Sequence, residues 1–459
     1  MLGSHKLNWL KYLLPLAIFA FSGFLLFYHL GNHPFIDWDE GIYAQVAKES
    51  FLSHNQADLS YFHQSWIEKP PLMTWVTEFG YSIFGINELG ARFFVGLFGL
   101  LTIVLTYFFV FELTESFFSS VLAVTSYLIC FHFFYASYFL QYDTAVGFFI
   151  LLSLFGYLKT LKDSRYFYLL FSALALGVLT KSVIGLLPLP IIIFDLLFYK
   201  KYKELRVNKN FWYGLSLGAI ILVPWHVIET VLQGSSFWNN YLLYHVFTRF
   251  GQPIENNGGS WNYYWAVIEQ NKIFELLSIC SLLAGLLLGI KKRAFGFLTF
   301  ASIFIFIFFS LAKTKGYGYI TVFYPYIVAL IGLWLAEILN KSPWKMLKIC
   351  TMVVLILIFS ALGFQENQFK IFKWETDPFY KDNKAIAIFL NSNYPNTTIY
   401  SKSSSFTGPA LFFYLGKTIP GWPANLPKPA FADLNSKTRI FHKTLRSVYN
   451  INGTLYLNY

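Results

Sequence analysis

The run ARFFVGLFGLLTIVLTYFFVF, Ala91 to Phe111, decides the class of this protein. Its one charge, Arg92, stands at the start, and the rest is long enough as a helix to cross about 30 Å of hydrocarbon. Outward from it, apolar runs recur at 12–30, 117–137, 143–158, 166–180, 183–199, 211–229, 273–290, 295–312, 319–338 and 347–364. Together they predict an all-α polytopic membrane protein of about 11–13 transmembrane helices.

Composition points the same way. The chain of 459 residues is 56% hydrophobic and only 13% charged, against about 25% charged in soluble domains. So few charges cannot clothe a soluble globule of this size. Lys6 and Lys11 precede the first run, and no small-residue cleavage site follows it, so a retained first helix is expected. Cys130, Cys280 and Cys350 lie in apolar runs at unrelated spacings, which supports neither a disulfide framework nor a thiolate metal site.

The net charge of +11 is explained by where it falls. With the N-terminus inside, the cytoplasmic segments carry Lys6 and Lys11, then Lys159, Lys162 and Arg165, then Lys200, Lys201, Lys203, Arg206 and Lys209. Lys291, Lys292 and Arg293 follow, then Lys341, Lys345 and Lys348. All sit in short loops, as the positive-inside rule requires. The excess is a topology signal plus contact with anionic lipid heads, and it implies membrane lipids as partners and no nucleic acid.

The opposite face is built of long segments. Loops at 31–90 and 230–272 belong to a membrane domain at 1–364, and the tail, 365–459, is expected outside the cytoplasm. Its short apolar runs (Ala385–Leu390, Thr397–Tyr400, Ala410–Leu415, Thr454–Leu457) alternate with Pro, Gly and Asn, which predicts a small α/β C-terminal domain.

The unusual polar residues map to that outer face. In PFIDWDEGIYAQVAKESF, residues 34–51, Asp37, Asp39 and Glu40 open a segment expected to lie as a helix along the membrane surface, with Ile42, Val46 and Phe51 near one face. Capping of that helix is the plain explanation for one acid, but three within four residues exceed what a cap needs. Glu68 and Lys69 precede Pro70 and Pro71, which fix the backbone. Asp143 and Lys181 mark the outer ends of two helices, where an N-cap and a snorkelling lysine are the plain alternatives. The second loop adds His226, His245, Arg249 and Glu255, and Lys313 and Lys315 flank the next outer turn. A charge this close to hydrocarbon is costly and is by default a functional candidate. Gathered at the level of lipid phosphates, these groups suit chemistry on an amphiphile.

The order of motifs resembles the bacterial GT-C glycosyltransferases, which include the aminoarabinose transferases of lipid A and the protein-mannosyltransferase-like group. The likeness runs through Asp39-Glu40-Gly41-Ile42-Tyr43-Ala44, Glu68-Lys69-Pro70-Pro71 and Phe84-Gly85-Ile86-Asn87-Glu88-Leu89-Gly90-Ala91-Arg92. It continues with Asp143, Leu179-Thr180-Lys181, Pro224-Trp225-His226, His245, Arg249, Ser310-Leu311-Ala312-Lys313-Thr314-Lys315 and Tyr324-Pro325, so that it covers roughly residues 10 to 340.

The resemblance implies a GT-C membrane core in a bacterial inner membrane, its site facing the periplasm. It implies transfer of one sugar from a polyprenyl (undecaprenyl) phosphate carrier to a lipid, glycan or protein acceptor, with inversion. Asp39 matches the family's base, with Glu40 beside it and Asp143 as a second acid. Lys69 matches a phosphate-binding lysine, which Arg249, Lys181, Lys313, Lys315 and Tyr324 would assist. Glu68 and His245 are the expected ligands of a divalent metal ion, if one is bound. Two positions depart from the family pattern: Ile42 stands where an arginine is common, and Asn257 where a histidine is. A lipid-linked glycan ligase and a lipid or polyprenyl-phosphate transporter are the alternative readings.

Overall fold

The computed structural model describes residues 10–36, 38–255, 257–375, 378–393, 398–401, 409–418, 447–451 and 454–458. Lys6, Asp37, Asn256 and Thr397 lie outside the described residues. Among the described residues, seven helices are long and apolar enough to cross a membrane, from Glu88–Thr114 to Met346–Asn367. Two bent pairs, Phe117–Ile129 with Phe131–Tyr138 (72°) and Tyr263–Glu269 with Lys272–Leu288 (116°), bring the number to nine if each is one span. Shorter apolar helices at Tyr12–Phe27 and Pro188–Phe198 account for the remaining expected runs. The protein is an all-α, multi-span membrane protein.

The chain divides into two compact units. The first comprises Met1–Tyr28, Ile67–Met73 and Phe94–Phe369. Its helices approach closely where small residues recur. On Lys209–Gln233, Gly214 and Gly218 lie one turn apart against Phe167 and Phe171, and a Cβ on Gly214 would stand 2.6 Å from the Phe167 carbonyl oxygen. Small residues four apart let backbones meet where no water is present to drive association. The outward faces stay apolar: Ile220, Val231, Leu287 and Leu357 are all exposed, as lipid contact requires.

The two ends of this unit differ. Asp143 opens the helix Tyr142–Thr160 and Lys159 closes it, about 24 Å apart at 1.5 Å per residue. At the Lys159 end, Glu112 pairs with Lys159 (2.7 Å) and Lys162 (2.8 Å), and Asp195 takes both Arg293 (2.6 Å) and the hydroxyl of Tyr157 (2.7 Å). These are the basic residues of the expected cytoplasmic loops, satisfied by acids within the helices.

The second unit comprises His29–Trp66, Thr74–Phe93 and Lys370–Tyr459. The helix Asp39–Ser53 forms as expected, but it does not present one apolar face. Tyr43, Ala44, Gln45, Val46, Ala47 and Ser50 are all buried. Gly41 makes this possible, because a Cβ there would fall 2.3 Å from the Ala410 amide nitrogen on the helix Pro409–Leu415. The tail's described residues hold the helices Pro378–Asn393 and Pro409–Leu415 and a three-stranded sheet. In that sheet Thr454–Asn458 lies between Thr398–Ser401 (parallel) and Ser447–Ile451 (antiparallel). The expected α/β domain is thus, among the described residues, helices with one small sheet.

Candidate functional site

Pro70 and Pro71 hold the backbone rigid after Glu68 and Lys69 and lead into the helix Leu72–Phe84. Lys181 ends the helix Phe167–Lys181, and Asp143 sits in the first turn of the antiparallel neighbour Tyr142–Thr160, so packing of the two helices brings their charges together. Lys181 Nζ lies 2.5 Å from Asp143 Oδ1, both side chains largely buried, and 4.2 Å from the centre of the Tyr319 ring. Lys181 therefore does not snorkel; it is committed to Asp143.

Tyr241, His245 and Arg249 are spaced by four along the π-helix Asn239–Thr248 and the turn that follows. The wider π turn keeps residues at this spacing near one face. They line, with Glu68, Lys69, Lys181 and Tyr319, a cavity open to solvent. Arg249 donates from Nη1 to the Tyr319 hydroxyl (2.6 Å) and from Nη2 to Glu255 (2.9 Å). Burial, reinforced by the charges of Lys69 and Arg249, holds His245 down to about 3, so its imidazole is neutral. Its Nδ1 is buried and has no hydrogen-bond partner among the described residues.

The segment 312–316 is stitched to the Arg249 loop. Thr314 donates its amide to the Arg249 carbonyl (3.1 Å) and its hydroxyl to the Gln252 carbonyl (2.8 Å), and it accepts from the Ile254 amide (3.1 Å). The amides of Lys313 and Lys315 donate to the carbonyls of Phe250 and Asn257. The residues of this motif that line the cavity are Ala312 and Thr314, not its lysines. Lys313 is exposed and does not line the cavity. Lys315 is buried with Nζ on the carbonyls of Phe309 (3.0 Å) and Ser310 (2.6 Å), where it caps the helix Arg293–Leu311. Burial, then the charge of Lys313, lowers its pKa.

Tyr324, expected at the phosphate, does not line the cavity. It is fully buried against His132, Phe133 and Phe274, whereas Tyr241 and Tyr319 line the cavity. His226 points elsewhere as well. It lines an apolar groove of about 970 Å³ formed by Val178, Leu186, Leu222, Val223, Val227 and Val231 among others. Tyr241, Ser182 and Val183 line both spaces and so form a shared wall, and the Tyr241 hydroxyl lies 3.1 Å from His226 Nε2.

Glu68 and His245 line the same cavity, which is what the expected metal ion needs first. Among the described residues, however, no group of three or more His, Cys, Asp or Glu is placed to hold one. Two donors beside Lys69 and Arg249 do not make a site for a tightly held cation.

In the second unit, Asp39 is exposed in the first turn of its helix, behind Trp38, whose side chain makes no cap. Glu40 is buried and engaged by Arg92, which donates from Nε (2.7 Å) and Nη2 (2.9 Å) while also reaching the carbonyls of Leu30, His33 and Pro34. Glu40 also accepts from the Ile36 amide (2.7 Å). This residue, expected beside the base as a catalytic group, is held in contacts that fix the loop before Asp39.

Comparison with known proteins agrees with the sequence resemblance. The family described as dolichyl-phosphate-mannose-protein mannosyltransferase matches residues 68–228. An uncharacterised protein of Aquifex aeolicus is 28% identical over 74% of this chain and 67% of its own length. The undecaprenyl phosphate-alpha-4-amino-4-deoxy-L-arabinose arabinosyl transferase 2 of Pseudomonas fluorescens is 27% identical over 55% of this chain, and the match spans about half (47%) of that relative. The structure of ArnT from Cupriavidus metallidurans bound to undecaprenyl phosphate superposes with a TM-score of 0.73 at 18% identity, covering 91% of this chain and 86% of that one. The likeness to the GT-C superfamily of polyprenyl-phosphate-sugar glycosyltransferases therefore stands, and the fold is a GT-C fold.

Proposed function

We propose that this membrane glycosyltransferase takes one sugar from a polyprenyl phosphate, of the undecaprenyl kind, and passes it to a hydroxyl of a lipid or glycan acceptor on the periplasmic face of a bacterial inner membrane. The observation that carries the reading is the pairing of two spaces across one wall. Lys69, Lys181 and Arg249 surround a cavity for a phosphate, and an apolar groove shares Tyr241, Ser182 and Val183 with it. A phosphate on a long isoprenoid chain needs both. The placing of the basic loops at the far end of the same helices supports the periplasmic assignment.

In the proposed reaction an acceptor oxygen attacks the anomeric carbon as the bond to the phosphate oxygen breaks, with inversion. The acceptor's proton goes to the carboxylate of Asp39, the role that the resemblance assigns to it. The bonding electron pair leaves with the phosphate, where Lys69 and the planar fork of Arg249, oriented by Tyr319, offset the developing charge. Asp143 holds Lys181 in place at the cavity. Neutral His245 leaves the cavity's cationic charge to Lys69, Lys181 and Arg249.

The test is direct. Purified protein in lipid is incubated with a panel of synthetic polyprenyl-phosphate sugars and an acceptor lipid, and release of polyprenyl phosphate is measured. Release from one donor, lost in Asp39→Asn, is expected. No release from any donor rejects the proposal and favours a glycan ligase or a lipid transporter.

A further inference from the structure

Each cation at the cavity already has a carboxylate of its own. Lys69 stands 3.9 Å from Glu68, Lys181 2.5 Å from Asp143, and Arg249 2.9 Å from Glu255. The three pairs are not alike. Asp143 is buried beside a lysine that lines the cavity, and Glu68 lines the cavity itself. Glu255 lies just outside the lining, on a turn whose backbone is left-handed (φ 57°), and Arg249 is its one side-chain partner among the described residues. It occupies Nη2 of a guanidinium whose Nη1 faces the cavity through Tyr319.

Resting on the proposed function, the chemistry poses a problem that this arrangement answers. The donor's phosphate is a diester with one negative charge. When the bond from anomeric carbon to phosphate oxygen breaks, that oxygen keeps the electron pair and the phosphate becomes a monoester, carrying about 1.5 to 2 charges at pH 7. A cavity of bare cations would therefore hold its product more tightly than its substrate. We infer that Glu255 is a resident counter-anion that competes with the carrier phosphate for Arg249 and so sets how readily the spent carrier leaves. Glu255 works through Arg249 and touches no reacting atom; its part is to lower the affinity for the more highly charged ligand.

The experiment uses the full chain in lipid nanodiscs and two probes with the same isoprenoid chain: polyprenyl phosphate, a monoester, and its methyl ester, a diester. In Glu255→Gln the monoester is expected to bind roughly tenfold more tightly and the diester only about two- to threefold. Under turnover the variant's donor KM falls and kcat falls with it, because product release slows; a purely structural role would not tighten binding. Glu255→Asp keeps the charge on a shorter arm, and a smaller shift in the same direction is expected. Should the glutamine variant not fold, a wild-type ratio of the two affinities in Glu255→Asp overturns the inference. Equal effects on both probes, or none, in Glu255→Gln overturn it as well, while wild-type binding of both probes leaves the functional reading standing. Binding of neither probe by the wild type overturns that reading and this inference together.

Discussion

Arg92 grips both carboxylate oxygens of Glu40, at 2.7 and 2.9 Å, with neither side chain exposed. A buried pair of this kind adds little over a well-packed apolar one, but removal of a single partner leaves an unpaired charge that costs about 3–5 kcal/mol. Arg92 also satisfies the carbonyls of Leu30, His33 and Pro34, so the pair closes the turn before Asp39. Glu40→Ala and Arg92→Ala are therefore expected to lower the yield of folded protein and its unfolding midpoint in detergent. An inactive Glu40→Ala protein of wild-type stability would restore Glu40 to the reaction.

Asp39 is expected to behave in the opposite way. It is exposed, and its helix is preceded by Trp38 without a side-chain cap, so its replacement disturbs little packing. Asp39→Asn should keep the unfolding midpoint and the affinity for polyprenyl phosphate while turnover falls about 10²- to 10⁴-fold, the usual scale for a general base. Turnover equal to the wild type excludes it as the base.

The lysines divide between site and scaffold. Lys69→Ala is expected to weaken polyprenyl phosphate binding about 10- to 100-fold, from the loss of one charge-assisted contact of about 1.5–3 kcal/mol. Arg249→Lys should be nearly as harmful, since an ammonium cannot span Tyr319 and Glu255 as the fork does. Lys315→Met removes a helix cap, so the unfolding midpoint should drop while carrier affinity holds. Carrier affinity that falls as far in Lys315→Met as in Lys69→Ala contradicts this division.

What the sequence made legible follows from what hydrocarbon demands. Helices without water must satisfy their own backbone and hide their charges, so apolar runs and basic loops read plainly. Lys69, Lys181, His245 and Arg249 stand out in the sequence for the same reason, as charges or imidazole at an interface, and they line one cavity. The pairing of Glu40 was not legible because its partner Arg92 lies 52 residues away, and nothing local distinguishes a paired acid from a catalytic one. The capping by Lys315 was not legible because a capped carbonyl leaves no mark in composition. Tyr319 was missed beside Tyr324, although the four-residue spacing of Tyr241, His245 and Arg249 was a signal that one face of that loop met the site. The short bends at Cys130 and before Lys272 leave no pattern in hydropathy either.

His245 gives a prediction with a definite sign. Burial first, then Lys69 and Arg249, hold it near 3 in the folded protein, whereas the unfolded chain takes up a proton near 6.5. Between these values the unfolded state binds more protons, so stability rises with pH across that window and is lost as pH falls through it. At pH 5 the cost is on the order of 1–2 kcal/mol after allowance for partial exposure. His245→Asn removes the titrating group and is expected to flatten the dependence, so that its unfolding midpoint drops less than the wild type's between pH 8 and pH 5. Parallel declines in the two proteins would mean that His245 is protonated in the fold, and the cavity would then carry one more positive charge than the proposed mechanism uses.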